Sequence, residues 1–127
     1  RVLLAEDDPV CRRVATLQLK KLGIEVDVAE NGEEAVKAAL SREYSLILMD
    51  CHMPLMDGFA AAKEIRAHEA FTRGHVPIIA MTARALQEDK QLCTAAGMDD
   101  YLSKPVDFAG LREVIRRWLS SEFDVSR

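Results

Sequence analysis

No run in this chain approaches the roughly 20 consecutive apolar residues that a membrane-spanning helix requires, and no signal-peptide pattern is recognisable, so direct membrane insertion is not expected. Basic residues are in deficit: 17 Lys and Arg stand against 21 Asp and Glu, a formal net charge of −4. That balance leaves no electrostatic footprint for direct nucleic-acid binding. Cysteine is scarce. Cys11, Cys51 and Cys93 are odd in number and far apart, which fits neither a disulfide framework nor a zinc-ligand pattern and points to a reducing, cytoplasmic setting. Cys51 reads as a small buried filler rather than a redox sensor. Linkers and low-complexity tracts are missing as well, and 127 residues make one domain of ordinary size. The chain begins at Arg1 without a methionine, and we expect a fragment of a longer protein.

What is present is an alternation of short apolar runs with longer segments of helical period, the pattern of a parallel sheet covered by helices on both faces. Five strands are expected, at about 2–5, 24–29, 45–49, 76–81 and 101–103. Asp8 as N-cap and Pro9 at the first helical position announce a helix that runs through Val14, Leu17 and Leu22 to a stop at Gly23. Asn31 caps a second helix (33–41), and Asp57-Gly58 open a third that fades before Gly74. A fourth covers about 85–96 and stops at Gly97; a fifth covers about 107–120. In the fifth, Leu111, Val114, Ile115, Trp118 and Leu119 form an apolar stripe that reads as core.

Acids stand where these runs end. Glu6 and Asp7 follow Val2-Leu3-Leu4-Ala5, and Asp50 follows Leu46-Ile47-Leu48-Met49. Parallel sheets carry their reactive groups at the carboxyl ends of strands. If the three carboxylates converge to about 5 Å, each charge pair repels by about 3 kcal/mol at an effective dielectric near 20. Such a cluster requires a cation or a raised pKa. Hard oxygen ligands suit Mg²⁺, with Mn²⁺ as an alternative, and Mg²⁺ usually takes one or two carboxylates plus phosphate oxygens. A carboxylate can also attack phosphorus and form an acyl phosphate. Lys104 after the fifth run and Thr82 ending the fourth would then serve the transferring oxygens. Taken singly, each of these residues has a plainer reading: helix cap, strand end or solvated surface lysine.

The stretches Leu4-Ala5-Glu6-Asp7-Asp8-Pro9, LILMDCHMPLMDG from Leu46 to Gly58, MTA from Met81 to Ala83 and AGMDDYLSKP from Ala96 to Pro105 closely resemble the receiver domain of two-component response regulators. The resemblance covers about 1–120, with 121–127 as a tail or the start of a linker. It implies a flavodoxin-like (βα)5 three-layer sandwich whose parallel sheet has the order 2-1-3-4-5. It implies Asp50 as phosphoacceptor, Glu6 and Asp7 as Mg²⁺-site acids and His52 as donor of a backbone carbonyl to the metal. Thr82, Ala83 and Lys104 would contact the phosphoryl group, and Tyr101 would be the aromatic switch residue. His52 and Arg84 resemble positions that tune the lifetime of the acyl phosphate, and Lys104-Pro105 resembles the family's cis peptide. His68 and His75 have no partner pattern in sequence and are expected to face solvent.

The expected function is phosphoryl transfer from a phosphohistidine to Asp50, followed by a switch in the surface of the fourth helix, fifth strand and fifth helix. The domain alone would catalyse only its own phosphorylation and dephosphorylation. Its partners would be a histidine kinase or a histidine phosphotransfer domain, with homodimerisation left open. A hybrid sensor histidine kinase is the parent the resemblance favours, which would make this the cytoplasmic portion of a membrane-bound protein. Two other readings compete. A small-molecule phosphotransferase of the aspartyl-phosphate class commonly has a second acid two residues after the nucleophile, where His52 stands; a non-catalytic docking module would have no Mg²⁺ affinity.

Overall fold

The computed structural model describes residues 1–69, 74–82, 87–104 and 106–123. Strands β1 (Val2–Ala5), β2 (Val26–Ala29), β3 (Leu46–Asp50), β4 (Ile78–Thr82) and β5 (Asp100–Ser103) alternate with helices α1 (Pro9–Lys21), α2 (Gly32–Ser41), α3 (Gly58–Glu69), α4 (Gln87–Ala95) and α5 (Phe108–Phe123). All strand pairs are parallel and the order is β2-β1-β3-β4-β5. This is the expected three-layer α/β sandwich.

Period-two alternation assigns the layers. Leu3, Ala5, Ile47, Met49, Ile78 and Ala80 turn toward Ala35 of α2, Ala61, Ala62 and Ile65 of α3, and Cys93 of α4. Val2, Leu4, Leu46, Leu48, Ile79 and Met81 turn toward Ala15 and Leu19 of α1 and Leu111, Val114 and Ile115 of α5. Central strands sandwiched this way read as unbroken apolar runs, and β1 is buried at every position. Cys51 and Cys93 are buried in the first of these layers.

Helix starts follow from side-chain capping. Asp8 accepts from the N–H of Val10 at 2.9 Å, Asn31 from Glu34 at 2.8 Å, Asp57 from Ala60 at 2.8 Å and Asp107 from Gly110 at 2.6 Å. The Val10 and Cys11 N–H groups hold the Asp8 carboxyl below the usual carboxylate range. Helix α1 departs from expectation in its facing. Val14 and Leu17 are exposed, and the core side is carried by Ala15 and Leu19, with Leu22 packed against them. Two apolar stripes run along this helix and periodicity alone does not say which one meets the sheet.

His75 is also not as expected. Its Nε2 lies 2.8 Å from Asp99 Oδ1 and its Nδ1 3.8 Å from Glu69 Oε1. Arg66 bridges the same two acids at 2.6 Å each and donates Nε to the Gly97 carbonyl at 2.8 Å. His68 is exposed, as expected.

The β3–α3 loop is held tightly against the end of β3. A Cβ on Gly58 would stand 2.2 Å from the Asp50 carbonyl oxygen, so only glycine admits this approach. In the same loop Leu55 has φ +68° while 78% exposed, a left-handed conformation that costs a branched residue about 1 kcal/mol or more. Leu55→Asn is therefore expected to raise stability by about 0.5–1 kcal/mol in urea unfolding. Leu55→Ala keeps the Cβ and should gain nothing; equal effects of the two would refute strain as the cause.

Candidate functional site

Register brings the apical residues level. Ala5 pairs with Met49 and Asp50 with Met81, so Glu6, one residue past β1, stands beside Asp50. Thr82 pairs with Ser103, and Lys104 follows on the outer side. Among the described residues Glu6, Asp7 and Asp50 offer carboxylate oxygens all within 4.8 Å of one another. Glu6 and Asp50 are buried and Asp7 is exposed. Lys104 Nζ lies 2.8 Å from Glu6 Oε1 and 3.0 Å from Asp50 Oδ2, and its N–H donates to the Thr82 carbonyl at 2.7 Å. Thr82 is buried at the same edge. Asp50 Oδ1 accepts the His52 N–H at 3.1 Å. The His52 ring meets Phe59 edge-on, centroids 6.1 Å apart.

Arg12 was not singled out in the sequence. Its Nη1 donates to the carbonyls of Glu6 at 3.1 Å and Asp7 at 3.4 Å, which fixes the backbone that carries both acids. Its signal was weak: an arginine one turn into a helix after an acid pair is commonplace. Tyr101 is 37% exposed on β5. Ala83, Arg84 and Pro105, and with Pro105 the peptide bond that follows Lys104, lie outside the described residues.

With all three acids ionised, Lys104 leaves the site at a net charge of −2. Burial, and then the neighbouring Asp50 carboxyl, push Glu6 up to about 7 from an ordinary 4.5. Burial alone would lower Lys104, but hydrogen bonds to Glu6 and Asp50 outweigh it and raise the ammonium. Lys104 therefore stays charged, while Glu6 holds its proton more tightly than an ordinary carboxyl does. Burial and the charges of Glu6 and Asp8 raise the Cys11 thiol, so Cys11 is not an activated thiolate.

A deep acid cluster, a buried hydroxyl and a lysine at the carboxyl edge of a 2-1-3-4-5 sheet coincide with a match over nearly the whole chain: the family model of the response regulator receiver domain covers residues 2–116. The chain belongs to this family. Its relatives include hybrid and other histidine kinases. A probable histidine kinase 1 of Oryza sativa is 38% identical over 94% of this chain, which spans only 15% of that kinase's length. Among solved structures, the receiver domain of a sensor histidine kinase from Pseudomonas aeruginosa, with a magnesium ion coordinated in its active site cleft, is 46% identical at a TM-score of 0.85, covering 94% of this chain and 96% of that one. A chain from the co-crystal structure of the Saccharomyces cerevisiae phosphotransfer protein Ypd1 with the receiver domain of Ssk1 is 34% identical at a TM-score of 0.85, with 92% and 86% covered. This receiver domain is thus a component of two-component phosphorelay signalling. None of its described helices is long and apolar enough to cross a membrane.

Proposed function

We propose that Asp50 is the phosphoacceptor and that Glu6, Asp7, Asp50 and the His52 carbonyl hold Mg²⁺. The observation that carries this reading is the set of three carboxylates within 4.8 Å, two of them bridged by Lys104. The donors are oxygens, hard and net negative by two charges, which suits a small divalent cation. When bound, the ion would neutralise charge on the attacking and transferring oxygens.

The chain's own residues do the remainder. An Asp50 carboxylate oxygen attacks phosphorus in line as the P–N bond of a phosphohistidine breaks, and the imidazole nitrogen leaves with the bonding pair. Lys104 supplies a fixed positive charge to an equatorial phosphoryl oxygen, and the Thr82 hydroxyl donates to another. Tyr101 then turns inward as Thr82 is drawn toward the phosphoryl group, altering the α4–β5–α5 surface. That change can be no larger than the phosphoryl group's preference for one arrangement over the other.

The donor is proposed to be a histidine phosphotransfer domain or kinase that docks over α1 and the β3–α3 loop. Val10, Val14 and Leu17 leave an apolar stripe exposed on α1, and Leu55 is exposed in the β3–α3 loop. Such a stripe at the rim of a reactive site fits a protein partner rather than a small phosphoester. A hybrid histidine kinase is the proposed parent, supported by its relatives.

The test is labelling from a phosphohistidine donor with Mg²⁺. The parent domain is expected to label, Asp50→Asn to lose the label entirely, and chelation of Mg²⁺ to do the same. Equal labelling of Asp50→Asn and the parent would overturn the assignment.

A further inference from the structure

We propose that Lys90 is a positioning residue that latches Tyr101 in its outward orientation. The inference rests on the reading of Tyr101 as the switch. The Lys90 ammonium sits 4.8 Å from the centre of the Tyr101 ring, well inside the range at which a cation is attracted to an aromatic face. Both residues belong to the switch surface: Lys90 lies on α4, and Tyr101 pairs with Ala80 on β5. Ala80 and Thr82 share one face of β4, so the same register puts Tyr101 on the face that carries Thr82, one strand away. The strand partner of Tyr101, Ala80, carries only a methyl group. A cavity of about 120 Å³, whose lining includes Lys90, Cys93, Tyr101 and the acidic pair Asp99 and Asp100, adds free volume next to the ring. Packing therefore leaves the ring room on this face, and an attraction is needed to choose where it rests.

The nearby charges leave Lys90 to the ring. Asp100 points to the opposite face, where it accepts from Trp118 Nε1 at 2.9 Å and pairs with Arg117. Asp99 is engaged by Arg66 and His75. Among the described residues no carboxylate forms an ion pair with Lys90. The attraction available at such a site corresponds to about a two- to five-fold bias in the ratio of outward to inward rings. By reciprocity, anything that draws the ring inward must first release Lys90.

The chain has two tyrosines, which suits fluorotyrosine labelling of the whole domain, and Tyr44 serves as internal reference because its hydroxyl is held by Asp27 at 2.8 Å. Without phosphodonor, Lys90→Met is expected to move the Tyr101 fluorine signal toward the position it takes with beryllofluoride and Mg²⁺, by about two- to five-fold in population. Lys90→Arg, which keeps the cation, should restore the parent signal. An unmoved signal in Lys90→Met, or Lys90→Arg behaving like Lys90→Met, overturns the latch. Whether Lys90→Met moves the signal and Lys90→Arg restores it is read without phosphodonor or beryllofluoride, so a failure of Asp50 to label would strike the phosphoacceptor reading and leave that comparison intact.

Discussion

Arg66→Leu is expected to lower unfolding free energy by about 2–4 kcal/mol, whereas Arg42→Leu should cost less than about 1 kcal/mol. The two arginines make the same kind of bond in different surroundings. Arg42 meets Asp27 at 3.2 Å with side chains 54% and 30% exposed, where water screens the pair and would solvate the survivor. Arg66 meets Glu69 and Asp99 with all three side chains between 13% and 17% exposed. Remove the guanidinium and two largely buried carboxylates lose the cation between them, with His75 beside them, while the Gly97 carbonyl loses its donor. The Asp99 and Glu69 oxygens also accept from the N–H groups of Ile78 and Val76, so the cluster ties the end of α3 to the starts of β4 and β5. For a domain of this size the loss corresponds to a melting temperature lower by about 10 °C. Urea unfolding with an unchanged slope would measure it, and equal losses in the two variants would remove burial as the deciding factor.

The second large effect is one of pH. The Glu6 carboxyl is held at about 7 in the folded domain against an ordinary 4.5, so the folded state binds its proton more tightly than the unfolded state does. Stability contributed by that proton is complete below pH ~4.5, declines as pH rises, and is gone above pH ~7. The difference is of order 3 kcal/mol. In chelator, the domain should therefore be weaker at pH 8 than at pH 5, and Glu6→Gln should be flatter with pH and more stable than the parent at pH 8. Excess Mg²⁺ at pH 8 should restore the parent by about 2.7 kcal/mol at a hundred times the dissociation constant and do little for Glu6→Gln. A pH slope that survives the substitution would show that the charge strain lies elsewhere.

Residues that act through their neighbours in sequence were legible; those that act across the fold were not. Asp8, Asn31 and Asp57 announced their helices because a cap needs only the next few backbone groups. The apical acids and Lys104 were legible because each ends an apolar run. Strand limits were less so: β2 starts at Val26 and β4 at Ile78, later than periodicity suggested, since pairing partners and not propensity decide where a ladder begins. At β4 the preceding Pro77 has no N–H to give a ladder. Helix α5 runs on to Phe123, past the expected end, through a non-helical step at Leu119. The cluster of Arg66, Glu69, His75 and Asp99 joins residues 33 apart in sequence at its widest, and no local pattern carries such a link. The face of α1 was ambiguous for the reason already given: two stripes of equal period compete.

The domain's single tryptophan is also an optical reporter that requires no labelling. Trp118 is packed against the α1 and α5 core layer, and its indole N–H is bound to the carboxylate of Asp100, the residue immediately before Tyr101. Any movement of β5 that disturbs that bond changes the polarity around the ring, so the emission spectrum of the unmodified chain tracks the fifth strand in real time.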